Sequence, residues 1–212
     1  MAVSKTSLSG DDDSKKRREL LFDIYRSIVL GKYMPFWGMP EYRVQSSSEK
    51  QEFPIEIYYF PELRNEGIVR FSTIGMALAK GSDSKEIGHE WFLALASDQS
   101  EQMIDRIFEY MADLVANNIE VCKNRRPVRV LDSSQLAPSE WTTKSVLIDE
   151  PRGEPDEMQI ISVGTREYDL QWIVPVTQQE ATYIHKNGID SFDQLVEDTE
   201  FSVIDTYRSS FV

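Results

Sequence analysis

The clearest periodic pattern of hydrophobic and polar positions lies in the middle of the chain. Apolar residues recur there at intervals of three and four, which places them on one stripe of an α-helix. Ser97 or Asp98 is predicted to cap this helix, which should run to about Val121. The residues of the stripe are Met103, Ile104, Ile107, Phe108, Met111, Leu114 and Val115.

A second apolar stripe predicts a helix near the N-terminus. The negative charge of Asp11 to Asp13 suits a helix start, and Gly31 and Pro35 are expected to end the helix. The following aromatic segment, residues 34–40, is predicted to be a loop, and the sequence leaves open whether it packs in the core or lies in an interface. The stripe consists of Leu20, Leu21, Ile24, Tyr25, Ile28 and Val29.

Alternating residues predict a β-hairpin in the next part of the chain. Its strands cover residues 55–59 and 68–78, with a turn around Arg64 to Gly67. Gly75 interrupts the second strand, which indicates a bulge or a close backbone approach. A third strand, residues 91–96, is apolar on both faces and is therefore expected to be buried on both.

The last third of the chain combines strands with two capped helices. A strand from Tyr168 to Val174 stops at Pro175, and Thr177 with Glu180 forms a capping box that opens a helix. This helix is predicted to end at Asn187-Gly188, and Ser191 with Gln194 to open another. Further strands are predicted near residues 128–131, 144–148 and 158–163, the last pairing with 168–174 as a hairpin.

Hairpins separated by helices favour an α+β fold, with a mixed, mostly antiparallel β-sheet packed against helices. The chain has 212 residues, of which 41% are apolar, enough for a sizeable core. We expect residues 1–10 to be a flexible tail and residues 11–212 to form a single domain.

Charge narrows the choice of partners. With 23 basic and 36 acidic residues, the chain carries a net charge of -13. Nucleic acids and anionic membranes are polyanions, so neither is an expected partner, whereas a basic protein would be attracted.

Cys122 is the single cysteine, which rules out an internal disulfide and suits a reducing, cytoplasmic location. No signal peptide or membrane span is apparent.

Few residues could support catalysis. The chain has two histidines, His89 and His185, and neither belongs to a recognisable constellation. Cys122 lies near basic residues but in no catalytic motif, and no glycine-rich phosphate loop occurs. The sequence therefore predicts no catalytic residue, no metal site and no cofactor.

Two acidic clusters are the candidate binding residues. One occupies a loop that contains proline and glycine, and the other occupies the final helix. Each cluster could serve solubility alone, or the two could form an electrostatic docking surface for a basic protein. The residues are Asp149, Glu150, Glu154, Asp156 and Glu157 in the loop, and Asp190, Asp193, Glu197 and Asp198 in the helix.

Three sequence blocks resemble the Suppressor of fused domain family. They are Pro54-Ile-Glu-Ile-Tyr-Tyr-Phe-Pro, then Phe71-Ser-Thr-Ile-Gly-Met, and the segment from Tyr168 to Leu195. The resemblance implies an α+β domain that acts as an interaction module rather than an enzyme. Animal members restrain a transcription factor through a larger, two-lobed architecture, so a chain of this length is similar to bacterial members.

The resemblance implies a specific function as well. Many bacterial members are associated with polymorphic toxin loci, where they are assigned as immunity proteins that neutralise a cognate toxin. A regulatory or scaffold module that sequesters an endogenous protein is the alternative, and an enzyme with an unrecognised site is a third. The sequence does not indicate the oligomeric state.

Overall fold

The protein is described by a computed structural model that covers residues 10–46, 51–81, 83–118, 129–199 and 202–212. These residues form four α-helices, one 3₁₀ turn (Asp156–Met158) and eight strands. The helices are α1 (Gly10–Trp37), α2 (Glu101–Asn118), α3 (Gln178–Asn187) and α4 (Ile189–Glu197). The strands are β1 (Tyr42–Ser46), β2 (Ile55–Phe60), β3 (Ile68–Ile74), β4 (His89–Ala96), β5 (Arg129–Asp132), β6 (Ser145–Asp149), β7 (Ile160–Val163) and β8 (Arg166–Val176).

All eight strands join one sheet, in which most neighbours are antiparallel. The order is β1-β2-β3-β4-β8-β6-β5, and β7 pairs with the first part of β8. Only β4 and β8 are paired in parallel. The predicted α+β class and the mixed, mostly antiparallel sheet are therefore confirmed.

Helices cover both faces of this sheet. On one face α2 packs over a core that includes Trp91, Leu93 and Phe71. On the other face α1, α3 and α4 cover a second core that includes Phe92, Trp172 and Ile161. Because successive residues of a strand point to opposite faces, the continuous apolar run in β4 supplies both cores, as predicted.

The first helix differs from its prediction at its end. Helix α1 continues past Gly31 and includes Pro35. Tyr33 and Trp37 are both buried, so packing holds the last turn even though Pro35 contributes no backbone donor. The helix stops at Gly38, whose φ is +82° and whose N–H donates to the carbonyl oxygen of Met34 at 3.0 Å. Much of the predicted aromatic loop is thus helix.

The predicted stripe of α1 was also wrong in part. Tyr25 and Val29 are buried, but four other members of the stripe face solvent. The buried face is completed by Phe22, Tyr33 and Trp37, which the periodicity did not select. The solvent-facing members are Leu20, Leu21, Ile24 and Ile28.

Two predicted helix starts need correction. Helix α2 begins after Ser100, whose hydroxyl oxygen accepts from the N–H of Met103 at 3.2 Å, so neither Ser97 nor Asp98 is its cap. Helix α4 begins directly after Gly188. The hydroxyl of Ser191 instead donates to the carbonyl oxygen of Asn187, because Ser191 already lies inside the helix. The predicted end of α2 near Val121 falls outside the described residues.

The capping box at the start of α3 is confirmed and extends to the last segment of the chain. The Thr177 hydroxyl oxygen accepts from the Glu180 N–H, and the Glu180 carboxylate accepts from the Thr177 N–H. The same carboxylate forms a fully buried ion pair with Arg208, at 2.6 and 3.0 Å. This pair fixes residues 202–212 against α3.

Candidate protein-binding surface

The acidic loop interrupts what would otherwise be one long strand. Strand β6 pairs with residues 172–176 of β8, and β7 pairs with residues 166–169 along the same edge. Residues 150–159 therefore connect two strand ends that are both fixed on β8. This geometry presents the loop while limiting its freedom.

Glu154 anchors the middle of the loop. Its carboxylate accepts from the indole Nε1 of Trp37 at 2.8 Å and from Nε of Arg70 at 2.6 Å. The Arg70 guanidinium also lies over the Trp37 ring, 5.8 Å from the ring centroid. The side chain of Glu154 is only 6% exposed, so this predicted binding residue joins the loop to α1 and β3.

Arg152 joins the two acidic clusters. Its guanidinium contacts Asp149 at 3.0 Å and Asp193 of α4 at 2.5 Å. Two clusters that are about forty residues apart in sequence therefore meet on one face of the molecule. We call the nine predicted residues together with Arg152 the acidic surface.

Members of the acidic surface differ in exposure. Asp149 is buried at the end of β6, and burial raises the pKa of its carboxyl above the ordinary value, although Arg152 opposes the increase. Asp193 is half-buried. Six members are exposed: Glu150, Asp156, Glu157, Asp190, Glu197 and Asp198.

A second carboxylate site lies in the interior and was not identified from the sequence. Both oxygens of Glu90, on β4, point into the turn that follows β3. Oε1 accepts from the hydroxyl of Tyr25 at 2.6 Å and from the N–H groups of Gly75 and Ala77 at 2.8 and 3.2 Å. Oε2 accepts from the Thr73 hydroxyl at 2.6 Å and from the Met76 N–H at 3.2 Å.

Opposing effects act on the Glu90 carboxyl. Burial raises the pKa of Glu90, and the hydrogen bonds from Thr73 and Tyr25 hold that increase down. Burial also raises the pKa of Tyr25, as does the neighbouring charge of Glu90. Glu90 lies directly before the apolar run of a predicted strand, and this position was the signal available in the sequence, since a buried carboxylate needs partners.

Gly75 allows this turn to form. Its φ is +104°, and a Cβ at this position would lie 2.2 Å from the carbonyl oxygen of Pro54. The predicted close backbone approach is therefore confirmed, just beyond the end of β3. We call residues 73–77 together with Glu90 the Glu90 turn.

The two histidines lie in different surroundings. His89 is buried at the start of β4 and stacks on Trp91, with ring centroids 6.3 Å apart. His185 is exposed in the last turn of α3, and Cys122 lies outside the described residues. Within the described ranges, no group of three or more His, Cys, Asp or Glu side chains is placed to hold a metal ion. None of the helices described is long and apolar enough to cross a membrane.

Comparison with known proteins identifies relatives of this chain. The sequence model of the family described as Suppressor of fused protein (SUFU) matches residues 51–209. No curated protein sequence matches the chain significantly.

Solved structures of similar fold include bacterial and animal proteins. A protein of Neisseria gonorrhoeae FA 1090, described as a SUFU homologue, superposes with a TM-score of 0.68 at 13% identity, over 89% of this chain and 97% of that one. A chain of the Sufu–Fu complex gives 0.59 at 15% identity, over 91% of both chains. Drosophila Suppressor of Fused gives 0.58 at 15% identity, over 90% of this chain but 50% of its own length. At these identities the likeness shows the fold alone.

Proposed function

Because the chain belongs to the Suppressor of fused family, we propose that it is a non-enzymatic protein-protein interaction domain, and that it binds and neutralises a cognate polymorphic toxin. The family match over residues 51–209 is the observation that carries this proposal. The match includes β2 to β8, all but one of the strands, and with them both halves of the acidic surface.

The acidic surface is the proposed contact with the toxin. Its exposed carboxylates come from a loop held at both ends by strands and from a helix joined to that loop through Arg152. A surface fixed in this way loses little conformational freedom on binding, which favours affinity. Asp149 and Glu154 are buried and would position the loop, while the exposed members make contact.

Charge supports a basic partner. The net charge of -13 attracts a basic protein over long distances and increases its association rate. Toxins that act on nucleic acids need positive surfaces to bind phosphate, so they complement this protein.

Co-purification from the native host tests the proposal. The tagged protein is expressed there, and bound proteins are compared at low and high salt. We expect one near-stoichiometric basic partner, weakened by salt, that is toxic when expressed alone and harmless when this protein is present.

A matched pair of variants locates the contact. Glu150→Lys with Asp190→Lys should abolish capture of the partner, because it reverses two charges on the acidic surface. Glu109→Lys with Asp113→Lys makes the same change in net charge on the exposed face of α2, across the sheet, and should leave capture unchanged. Equal loss in both variants would show a general charge effect and contradict the proposed surface.

A regulatory or scaffold role is the second candidate. One solved relative is a chain of the Sufu–Fu complex, so that protein engages a protein partner. Capture of an endogenous protein that is harmless when expressed alone would favour this candidate over toxin neutralisation.

A further inference from the structure

Helix α1 has two apolar faces, and the domain covers only one of them. The inner face includes Tyr25, Val29 and Trp37 and is buried against the sheet. On the outside, four large apolar side chains are 37–59% exposed. We call Leu20, Leu21, Ile24 and Ile28 the outer stripe. It lies outside the part of the chain that matches the family, residues 51–209.

Three members of the outer stripe are placed symmetrically about Ile24. Leu20, Ile24 and Ile28 follow one another at intervals of four, which forms a straight ridge about 12 Å long on the helix surface. Ser27 and Gly31 lie beside this ridge and are small and exposed, and a Cβ on Gly31 would meet no atom within 4 Å. A second helix could therefore approach closely.

An identical helix in the antiparallel direction matches the ridge. With a two-fold axis at Ile24, Leu20 of one copy lies against Ile28 of the other, and the two Ile24 side chains meet. Packing of i±4 ridges against each other is a common mode of helix contact. Such a contact is self-complementary, as a symmetric dimer requires.

The distribution of basic residues along α1 favours the antiparallel arrangement over a parallel one. Residues 15–18, Lys-Lys-Arg-Arg, follow the start of α1, and the last turn of α1 contains no basic residue. In the antiparallel pair, with its axis at Ile24, residues 15–18 of each copy lie opposite residues 30–33 of the other, of which only Lys32 is basic. A parallel pair would place the two basic runs together.

The net charge of the molecule also favours contact at α1. Helix α1 contains six basic and five acidic residues, a net charge of +1, whereas the whole chain carries -13. The remainder therefore carries -14. Contact through α1 keeps the most acidic parts of two copies apart, so their mutual repulsion is weakest there.

From these observations we propose that the outer stripe binds the outer stripe of a second copy of this chain, forming an antiparallel α1–α1 dimer. The area that this ridge can bury is small compared with a standard protein interface of about 800 Å² per partner. The dimer should therefore dissociate on dilution. This inference does not rest on toxin binding and is tested separately.

Sedimentation equilibrium of the full chain measures the association. The average mass should rise from 24.5 kDa toward twice that value as the concentration increases from low micromolar to near millimolar. Ile24→Glu should reduce the association constant at least about tenfold, because two carboxylates would meet at the axis. Ile160→Glu, at an apolar residue that is 45% exposed on β7, should leave association unchanged.

Cross-linking tests the direction of the helices. In chains that carry Cys122→Ser, a mixture of Leu20→Cys and Ile28→Cys proteins should form the mixed disulfide faster than either protein alone forms a disulfide. Faster formation of the two homodimers would indicate a parallel pair and overturn the proposal. A monomer at every concentration, or equal losses in Ile24→Glu and Ile160→Glu, would also overturn it.

Discussion

The Glu90 turn and the acidic surface hold carboxylates in opposite ways. Glu90 is fully buried and receives five hydrogen bonds, three of them from backbone N–H groups. On the acidic surface most carboxylates face solvent, and Arg152 makes the contacts between the clusters. A carboxylate that is surrounded by donors belongs to the fold, whereas one that faces water is free to attract a partner.

The two sites also differ in what their carboxylates do: those of one stabilise the fold, and those of the other are available to a partner. The Glu90 turn connects α1, β3 and β4 through Tyr25, Thr73 and Glu90, so a change there should affect the whole domain. Surface ion pairs contribute little to stability, about 0–1 kcal/mol. Charge changes on the acidic surface should therefore alter binding more than folding, and three substitutions test the effects on folding.

Glu90→Gln should have the largest effect on stability. The amide presents an N–H₂ group where an acceptor is needed, which leaves at least two buried donors without a partner. Each costs about 1–3 kcal/mol, so we expect the free energy of unfolding to fall by about 3 kcal/mol or more. Denaturant unfolding measures this change.

Glu109→Gln is the control for Glu90→Gln. It makes the same chemical change on the exposed face of α2 and should alter stability by less than about 0.5 kcal/mol. Equal effects of the two substitutions would contradict the structural role of the Glu90 turn.

Gly75→Ala should have the next largest effect. A side chain at φ +104° is strained by about 1–3 kcal/mol, and its Cβ would also collide with Pro54. Gly164→Ala carries a smaller strain and no collision, because φ there is +64°, inside the left-handed region, and a Cβ would meet no atom within 4 Å. Thermal unfolding should show a larger loss for Gly75→Ala, and equal losses would indicate that the close approach has no energetic role.

Asp149→Asn should have the smallest effect, visible in the pH dependence of stability. The pKa of Asp149 is higher in the folded protein than its ordinary value of 3.8, so the folded state binds this proton more tightly. The free energy of unfolding therefore gains a contribution as the pH falls from the folded pKa to 3.8, and the gain is complete below that value. Above the folded pKa the contribution is absent.

The variant has no such proton and should lack this contribution. Urea unfolding of the unchanged protein and of Asp149→Asn, between mildly acidic and neutral pH, measures the difference in stability between them. The pKa of Glu90 is also raised, but Glu90 is present in both proteins, so its contribution cancels in the difference. If the difference in stability between the two proteins is independent of pH, burial does not control the Asp149 carboxyl.

Local sequence signals determined much of the fold. The alternation in β2, β3 and β8, the stripe of α2 and the capping box at Thr177 are each set by neighbours in sequence, and the structure contains them all. Strand β1 was missed, because Tyr42 and Val44 provide only two alternating apolar positions. The acidic residues of the candidate surface were visible as clusters, although their exposure was not.

Only the tertiary structure decided which residues meet. Arg152 brings two acidic clusters together, Glu154 is withdrawn into a contact with Trp37 and Arg70, and Glu90 finds its donors in a turn that precedes it by more than ten residues. The stripe of α1 looked like a single face, yet the sheet covers only part of it. Periodicity fixes the direction of a side chain relative to its own element, but burial and pairing depend on what other elements place opposite it.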